Sequence, residues 1–302
     1  MNSYRAPWWL PGGHLQTIAA ALAPVPRIAW SRERWETPDG DFIDLDWAGK
    51  CGPLLALFHG LEGSSASHYA RSVAAQALAL GWRCVVPHFR GCSGELNRLP
   101  RAYHSGDSEE IGWVVKRLET PYVVGVSLGG NALLKHLGEQ GENTRIHRAV
   151  AISAPLDLAA AGKALDRGLS RQVYTRIFLR TLRTKSLRKL ARHPGLFDPR
   201  RVRAATTFWE FDDSVTAPLH GFLGADDYWT RSSSAAWLGR IRIPTLVLNA
   251  RNDPFLPQAA LEAIRGIPPN VTLEFPHSGG HAGFPGRNRW LARRVFEFLS
   301  LP

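Results

Sequence analysis

Ser127 lies in Gly125-Val126-Ser127-Leu128-Gly129, and its surroundings make it a candidate nucleophile. The preceding stretch, 122–126, is short, apolar and β-branched, as a buried parallel strand is, and apolar residues resume at helical spacing over 132–137. A strand passing through G-x-S-x-G into a helix is the signature of a nucleophile elbow. Glycines at 125 and 129 allow a turn so tight that the serine is held in strained backbone geometry, its hydroxyl raised above the sheet. A hydroxyl is a weak nucleophile near neutral pH, so the chemistry requires a base that takes its proton during attack.

In elbows of this kind the acid and then the base follow the serine, each on a loop after a late strand. The apolar run 244–250 predicts one such strand, and Asp253 stands just past its end. The run 271–275 predicts another, followed by Pro276-His277-Ser278-Gly279-Gly280-His281. His281, set among glycines, is the better placed base, with His277 at the strand terminus as the alternative. Asp157, after the strand predicted over 148–153, is the reserve for the acid and otherwise reads as a helix cap. Charge developing on a carbonyl oxygen also needs donors. The Leu128 amide, at the positive end of the helix, is one candidate, and the Leu61 amide is the other. Leu61 follows His59-Gly60 at the end of the strand predicted over 54–59; His59 reads as a brace for that loop rather than as a base.

To bring these loops together the chain must alternate strands and helices. The pattern predicts helices over 67–80, 106–118 and 129–138 and a strand over 83–88, which with the runs above gives an α/β, mostly parallel, doubly wound sheet. Ahead of them, 28–36 and 42–47 flank Pro38-Asp39-Gly40 and predict an antiparallel hairpin at the sheet edge. The length of 302 residues, 44% hydrophobic, suits one domain over 1–302 with an inserted helical cap over 154–243. Within that insertion, residues 163–203 contain only two acidic residues, Asp166 and Asp198, among many Arg and Lys interleaved with Leu169, Val173, Ile177, Phe178, Leu179 and Leu182. The plain reading is a basic solvated face on a cap packed by its apolar side. The sharper one is peripheral association of this basic cap with an anionic membrane.

Several segments together resemble the YheT-like esterase family of the α/β-hydrolase superfamily, related to the eukaryotic abhydrolase-domain lipases. They are Gly13-His14-Leu15-Gln16-Thr17, His59-Gly60-Leu61-Glu62-Gly63-Ser64, His88-Phe89-Arg90-Gly91-Cys92-Ser93-Gly94, Tyr103-His104-Ser105-Gly106 and the elbow through Asn131. Phe211-Asp212-Asp213, His220-Gly221-Phe222, Asp253-Pro254-Phe255 and Gly279-Gly280-His281 extend the likeness over nearly the whole chain. The resemblance implies the α/β-hydrolase fold, Ser127 as nucleophile, Asp253 as acid and His281 as base. One departure is Tyr228-Trp229, where the family often has paired tyrosines; it leaves the triad untouched and bears on the pocket. The function expected is a serine hydrolase cleaving carboxylic esters through an acyl-enzyme, on small-molecule esters with short- to medium-chain acyl groups or on lipid esters. The rival expectation is a non-enzymatic, basic lipid- or polyanion-binding protein on a hydrolase scaffold.

The formal net charge of +11 raises nucleic acid as a partner, but no zinc-finger spacing, RNA-binding signature or basic heptad region accompanies it, so specific nucleic-acid binding is not expected. Neither a metal nor an organic cofactor is expected. Cys51, Cys84 and Cys92 are odd in number and lack paired or ligand spacing, which predicts no disulfide framework and a cytoplasmic protein. Cys92 reads as a packed thiol. The apolar run 18–23 is far too short to cross a membrane. Core packing accounts for most of the 11 tryptophans, with Trp8, Trp9 and Trp229 as candidates to line an entrance or touch lipid.

Overall fold

The computed structural model describes residues 4–286 and 289–301. Its strands are β1 (Ser31–Glu36), β2 (Phe42–Ala48), β3 (Leu54–Phe58), β4 (Arg83–Pro87), β5 (Tyr122–Val126), β6 (Arg148–Ile152), β7 (Thr245–Leu248) and β8 (Val271–Glu274). They form one sheet in the order β1-β2-β4-β3-β5-β6-β7-β8. From β4 to β8 all neighbours are parallel, while β2 runs antiparallel to both β1 and β4. The sheet is thus mostly parallel, with the expected hairpin at its edge; Gly40, at φ 80°, supplies the left-handed residue its turn requires.

Both faces of the parallel strands are covered because both sets of alternating side chains are apolar. Leu54, Ala56 and Phe58 of β3 join one buried cluster with Ile111 and Leu133, whereas Leu55 and Leu57 join another with Val73 and Val295. The first cluster is roofed by α3 (Ser108–Leu118) and α4 (Leu128–Gln140) and the second by α2 (His68–Ala79) and α13 (Trp290–Leu299). Each fully buried leucine contributes about 1.5–3 kcal/mol relative to exposure, so the two layers fix the sheet. The helix α1 (Gly13–Leu22) lies ahead of the sheet, and α12 (Gln258–Glu262) lies between β7 and β8. Neither α1 nor α13 was assigned from sequence pattern.

Between β6 and β7 the chain is helical: α5 (Leu158–Leu165), α6 (Gly168–Ser170), α7 (Arg176–Arg192), α8 (Pro199–Ala204), α9 (Phe208–Phe211), α10 (Ala217–His220) and α11 (Ala225–Ser232). Two π-helical turns, Arg171–Thr175 and Asp212–Thr216, interrupt them. This segment builds small clusters of its own, one from Leu179, Val202, Ala205, Phe211 and Val215, another from Leu158, Phe208, Tyr228 and Trp229. It is fastened to the sheet domain by polar side chains. The buried Lys189 ammonium donates to Asn97 Oδ1 (2.7 Å), the Leu99 carbonyl (2.8 Å) and the Arg101 carbonyl (3.0 Å).

Candidate active site

Ser127 sits at φ 52° and ψ −119°, a conformation that L-residues rarely adopt. The reason lies in its glycines. A Cβ at 125 would come within 2.5 Å of the Gly129 carbonyl oxygen, and one at 129 within 2.5 Å of the His59 carbonyl oxygen. Strand, turn and helix therefore approach so closely that no side chain fits on either side of the serine. Its amide donates to the Ile152 carbonyl (2.8 Å), tying the elbow to β6.

Two loops meet it. His281 Nε2 lies 2.9 Å from Ser127 Oγ, and His281 Nδ1 lies 2.8 Å from Asp253 Oδ2. A carboxylate only accepts, so Nδ1 carries the hydrogen and Nε2 presents its lone pair to the serine hydroxyl. Asp253 is buried, its second oxygen accepting from the Phe255 amide (2.8 Å). The Phe255 ring stacks on the imidazole with centroids 4.0 Å apart, which restricts its rotation. His277 is exposed at the surface, and Asp157 caps α5 by accepting from the Ala160 amide (3.0 Å). The structure thus gathers Ser127, Asp253 and His281 and leaves the two alternatives outside.

His59 is fully buried and braces its loop: Nδ1 donates to the Gly60 carbonyl (2.8 Å) and Nε2 accepts from the Phe89 amide (3.1 Å). Burial pushes its pKa down to about 3, so it stays neutral. Leu61 and Leu128 both border the cavity beside Ser127, and among the described residues neither amide donates to another protein group. Glu62, at φ 54°, turns the chain there. Its amide donates to the Tyr103 hydroxyl (2.8 Å), which in turn donates to Glu62 Oε1 (2.8 Å), and Lys185 of α7 donates to the same carboxylate oxygen (2.9 Å). The Cys92 thiol is pushed up to about 12, chiefly by burial, and remains protonated.

Sequence reasoning missed the residues that hold the His281 loop. Thr17 Oγ of α1 accepts from the His281 amide (2.8 Å). Gln16 Oε1 accepts from the Gly279 amide (2.7 Å) and from Asn252 Nδ2 (2.9 Å), while Asn252 Oδ1 accepts from the Gly280 amide (3.1 Å). One glutamine therefore clamps the Asp253 loop to the His281 loop from a helix more than 230 positions away. The only sequence signal was the Gly13-His14-Leu15-Gln16-Thr17 block itself. Ser153, at φ 49°, adds a further tie by accepting from the Ala282 amide (2.9 Å).

Above these groups a cavity of about 550 Å³ opens between the strand ends and the helical segment. Leu158, Phe178, Phe208, Phe211 and Trp229 give it an apolar wall. Trp229 packs so closely on Gly162 that a Cβ there would meet the indole at 2.6 Å. Its ring nitrogen donates to Asp212 (2.8 Å), whose carboxyl burial pushes up to about 7. Tyr228 is buried beside it, its hydroxyl accepting from the Ser105 amide (2.9 Å). The tyrosine-tryptophan pair thus supplies one loop brace and one wall.

A family model described as alpha/beta hydrolase fold matches residues 53–286. The chain is 39% identical to YheT of Escherichia coli K12 over 95% of its own length and 90% of that protein. It is 30% identical to phospholipase ABHD3 of Homo sapiens over 99% of its length and 79% of the relative. Among solved structures, an esterase from Exiguobacterium antarcticum superposes with a TM-score of 0.60 at 17% identity, covering 89% of this chain and 99% of that one.

Proposed function

The chain belongs to the α/β-hydrolase family, in the branch that includes YheT of Escherichia coli, and from that membership we propose that it cleaves carboxylic esters through an acyl-enzyme on Ser127. The observation that carries the reading is the His281 imidazole bridging Ser127 Oγ and the Asp253 carboxylate at 2.9 and 2.8 Å. Ser127 Oγ bonds to the ester carbonyl carbon as its proton passes to His281 Nε2. When the tetrahedral intermediate collapses, the carbon–oxygen bond to the alcohol breaks and the alcohol takes that proton. Water then attacks the acyl group with the same imidazole as base, releasing the acid and restoring the serine.

Asp253 keeps the imidazole in the required tautomer and faces the positive charge that forms on it. The oxyanion points to the amides of Leu61 and Leu128. Each such donor is worth roughly a hundredfold or more in rate, because it is already aimed where charge develops. The helical segment over 154–243 acts as a cap whose aromatic wall receives the acyl chain or the alcohol. A largely apolar cavity of about 550 Å³ favours esters with a short to medium acyl chain, lipid esters included. Names of relatives such as phospholipase ABHD3 and monoacylglycerol lipase point the same way.

The test is Ser127→Ala, assayed on p-nitrophenyl esters of increasing chain length and with a fluorophosphonate probe. Turnover and labelling are expected to vanish with the circular-dichroism spectrum and melting temperature unchanged. Retained turnover would reject the role of Ser127.

A further inference from the structure

Around the cavity mouth the fold leaves apolar side chains facing outward. On α1, Leu15, Ile18 and Leu22 recur three and four residues apart, forming one helical stripe, and are 49%, 37% and 80% exposed. Ile18 and Leu22 line the cavity as well. In the turn that leads into α1, Trp8 and Trp9 are 92% and 61% exposed, and Gln16 Nε2 pins that turn by donating to the Leu10 carbonyl (2.8 Å). From the helical segment Ile177 borders the same cavity and is 61% exposed. The two sides touch where the His14 ring stacks on Tyr174.

The opposite face of α1 is the one that folding uses: Gln16, Thr17 and Ala20 are buried, and Gln16 and Thr17 hold the His281 loop. Among the described residues none of the stripe's side chains belongs to a buried core cluster. Outward apolar side chains of which three, Ile18, Leu22 and Ile177, also line the cavity mark a contact with something else. Charge says what that is. Arg176 and Arg180 are exposed on either side of Ile177, and among the described residues neither has an acidic partner. Exposed tryptophan beside aliphatic residues and unpaired arginines matches the boundary layer of an anionic bilayer.

We propose that the outer stripe of α1, with Trp8, Trp9 and Ile177, seats on an anionic lipid surface, so that acyl chains pass from the bilayer into the cavity below Ile18 and Leu22. Delivery of the chain to Ser127 rests on the lipid-ester reading; the docking does not.

The experiment measures co-sedimentation of the full chain with phosphatidylglycerol-phosphatidylcholine vesicles and with phosphatidylcholine alone. Wild type and Ser127→Ala are expected to bind the anionic vesicles equally, about tenfold or more tighter than the zwitterionic ones, and to release in high salt. Trp8→Ser with Trp9→Ser is expected to weaken binding about tenfold while p-nitrophenyl butyrate turnover stays unchanged. Arg176→Gln with Arg180→Gln is expected to erase most of the preference for anionic lipid. Vesicle binding untouched by the tryptophan pair would overturn the proposal. So would a dimer by light scattering that the same pair dissolves, since a second copy would then be the occupant. Tryptophan-dependent binding by a protein without ester turnover would sink the esterase reading and leave docking standing.

Discussion

The loops that carry Ser127, Asp253 and His281 and the helical segment above them are held by different means. The Ser127 amide is bound to β6, and the amides of Phe255, Gly279, His281 and Ala282 are each taken up by a buried or half-buried side chain. Among the described residues the helical segment is held by its backbone only near its two ends, where Asn131 takes the Ser234 amide and the Ser232 carbonyl and Asn249 the Ala154 carbonyl; between them it reaches the sheet domain through long side chains, Lys185 to Glu62, Lys189 to three oxygens of the 97–101 loop and Tyr228 to Ser105. Anchoring by backbone leaves Ser127, Asp253 and His281 little freedom, which suits chemistry sensitive to displacements near 1 Å. Anchoring by side chains can be redrawn residue by residue, so the pocket can change while the reaction does not.

Substitutions in the two regions should therefore fail differently. Asp253→Asn should lower kcat by about 10⁴ by favouring the wrong imidazole tautomer, with KM little changed; a loss under tenfold on p-nitrophenyl acetate would break the contrast. Gln16→Ala touches no reacting atom yet frees both loops, so kcat should fall roughly ten- to a hundredfold with KM nearly constant. Gln16→Glu keeps the acceptor for Gly279 and should recover part of the rate, whereas a purely structural loss would appear in the melting temperature instead. Lys189→Met strips donors from Asn97, Leu99 and Arg101 and should cost about 2–4 kcal/mol in urea unfolding. Its kcat on a two-carbon acyl ester should stay within about tenfold of wild type while the preferred chain length shifts.

What the sequence disclosed follows the range of its signals. β5, the elbow and α4 were legible because their packing repeats within a few residues: alternating Val123 and Val124 face opposite layers, and glycines flank the serine. The late strands were legible for the same reason, and loop position alone then singled out Asp253 and His281. The segment between β6 and β7 yielded only its helical character and charge, since its clusters join Leu179 to Val202 and Phe208 to Tyr228 with no period linking them. The clamp on the His281 loop was invisible to pattern. A hydrogen bond from Gly279 to Gln16 leaves no trace near either residue, and α1 reads as a short apolar run although polar Gln16 and Thr17 are buried beside Ala20.

The central claim is an acyl group carried on one oxygen atom. Mixing the enzyme with excess p-nitrophenyl butyrate, quenching in acid and measuring intact and peptide mass reads it directly. The expected result is a single butyryl adduct on the peptide containing Ser127, absent from Ser127→Ala and persisting longer in His281→Ala if any forms. Steady turnover with no adduct on that peptide, or an adduct on another residue, would contradict the account.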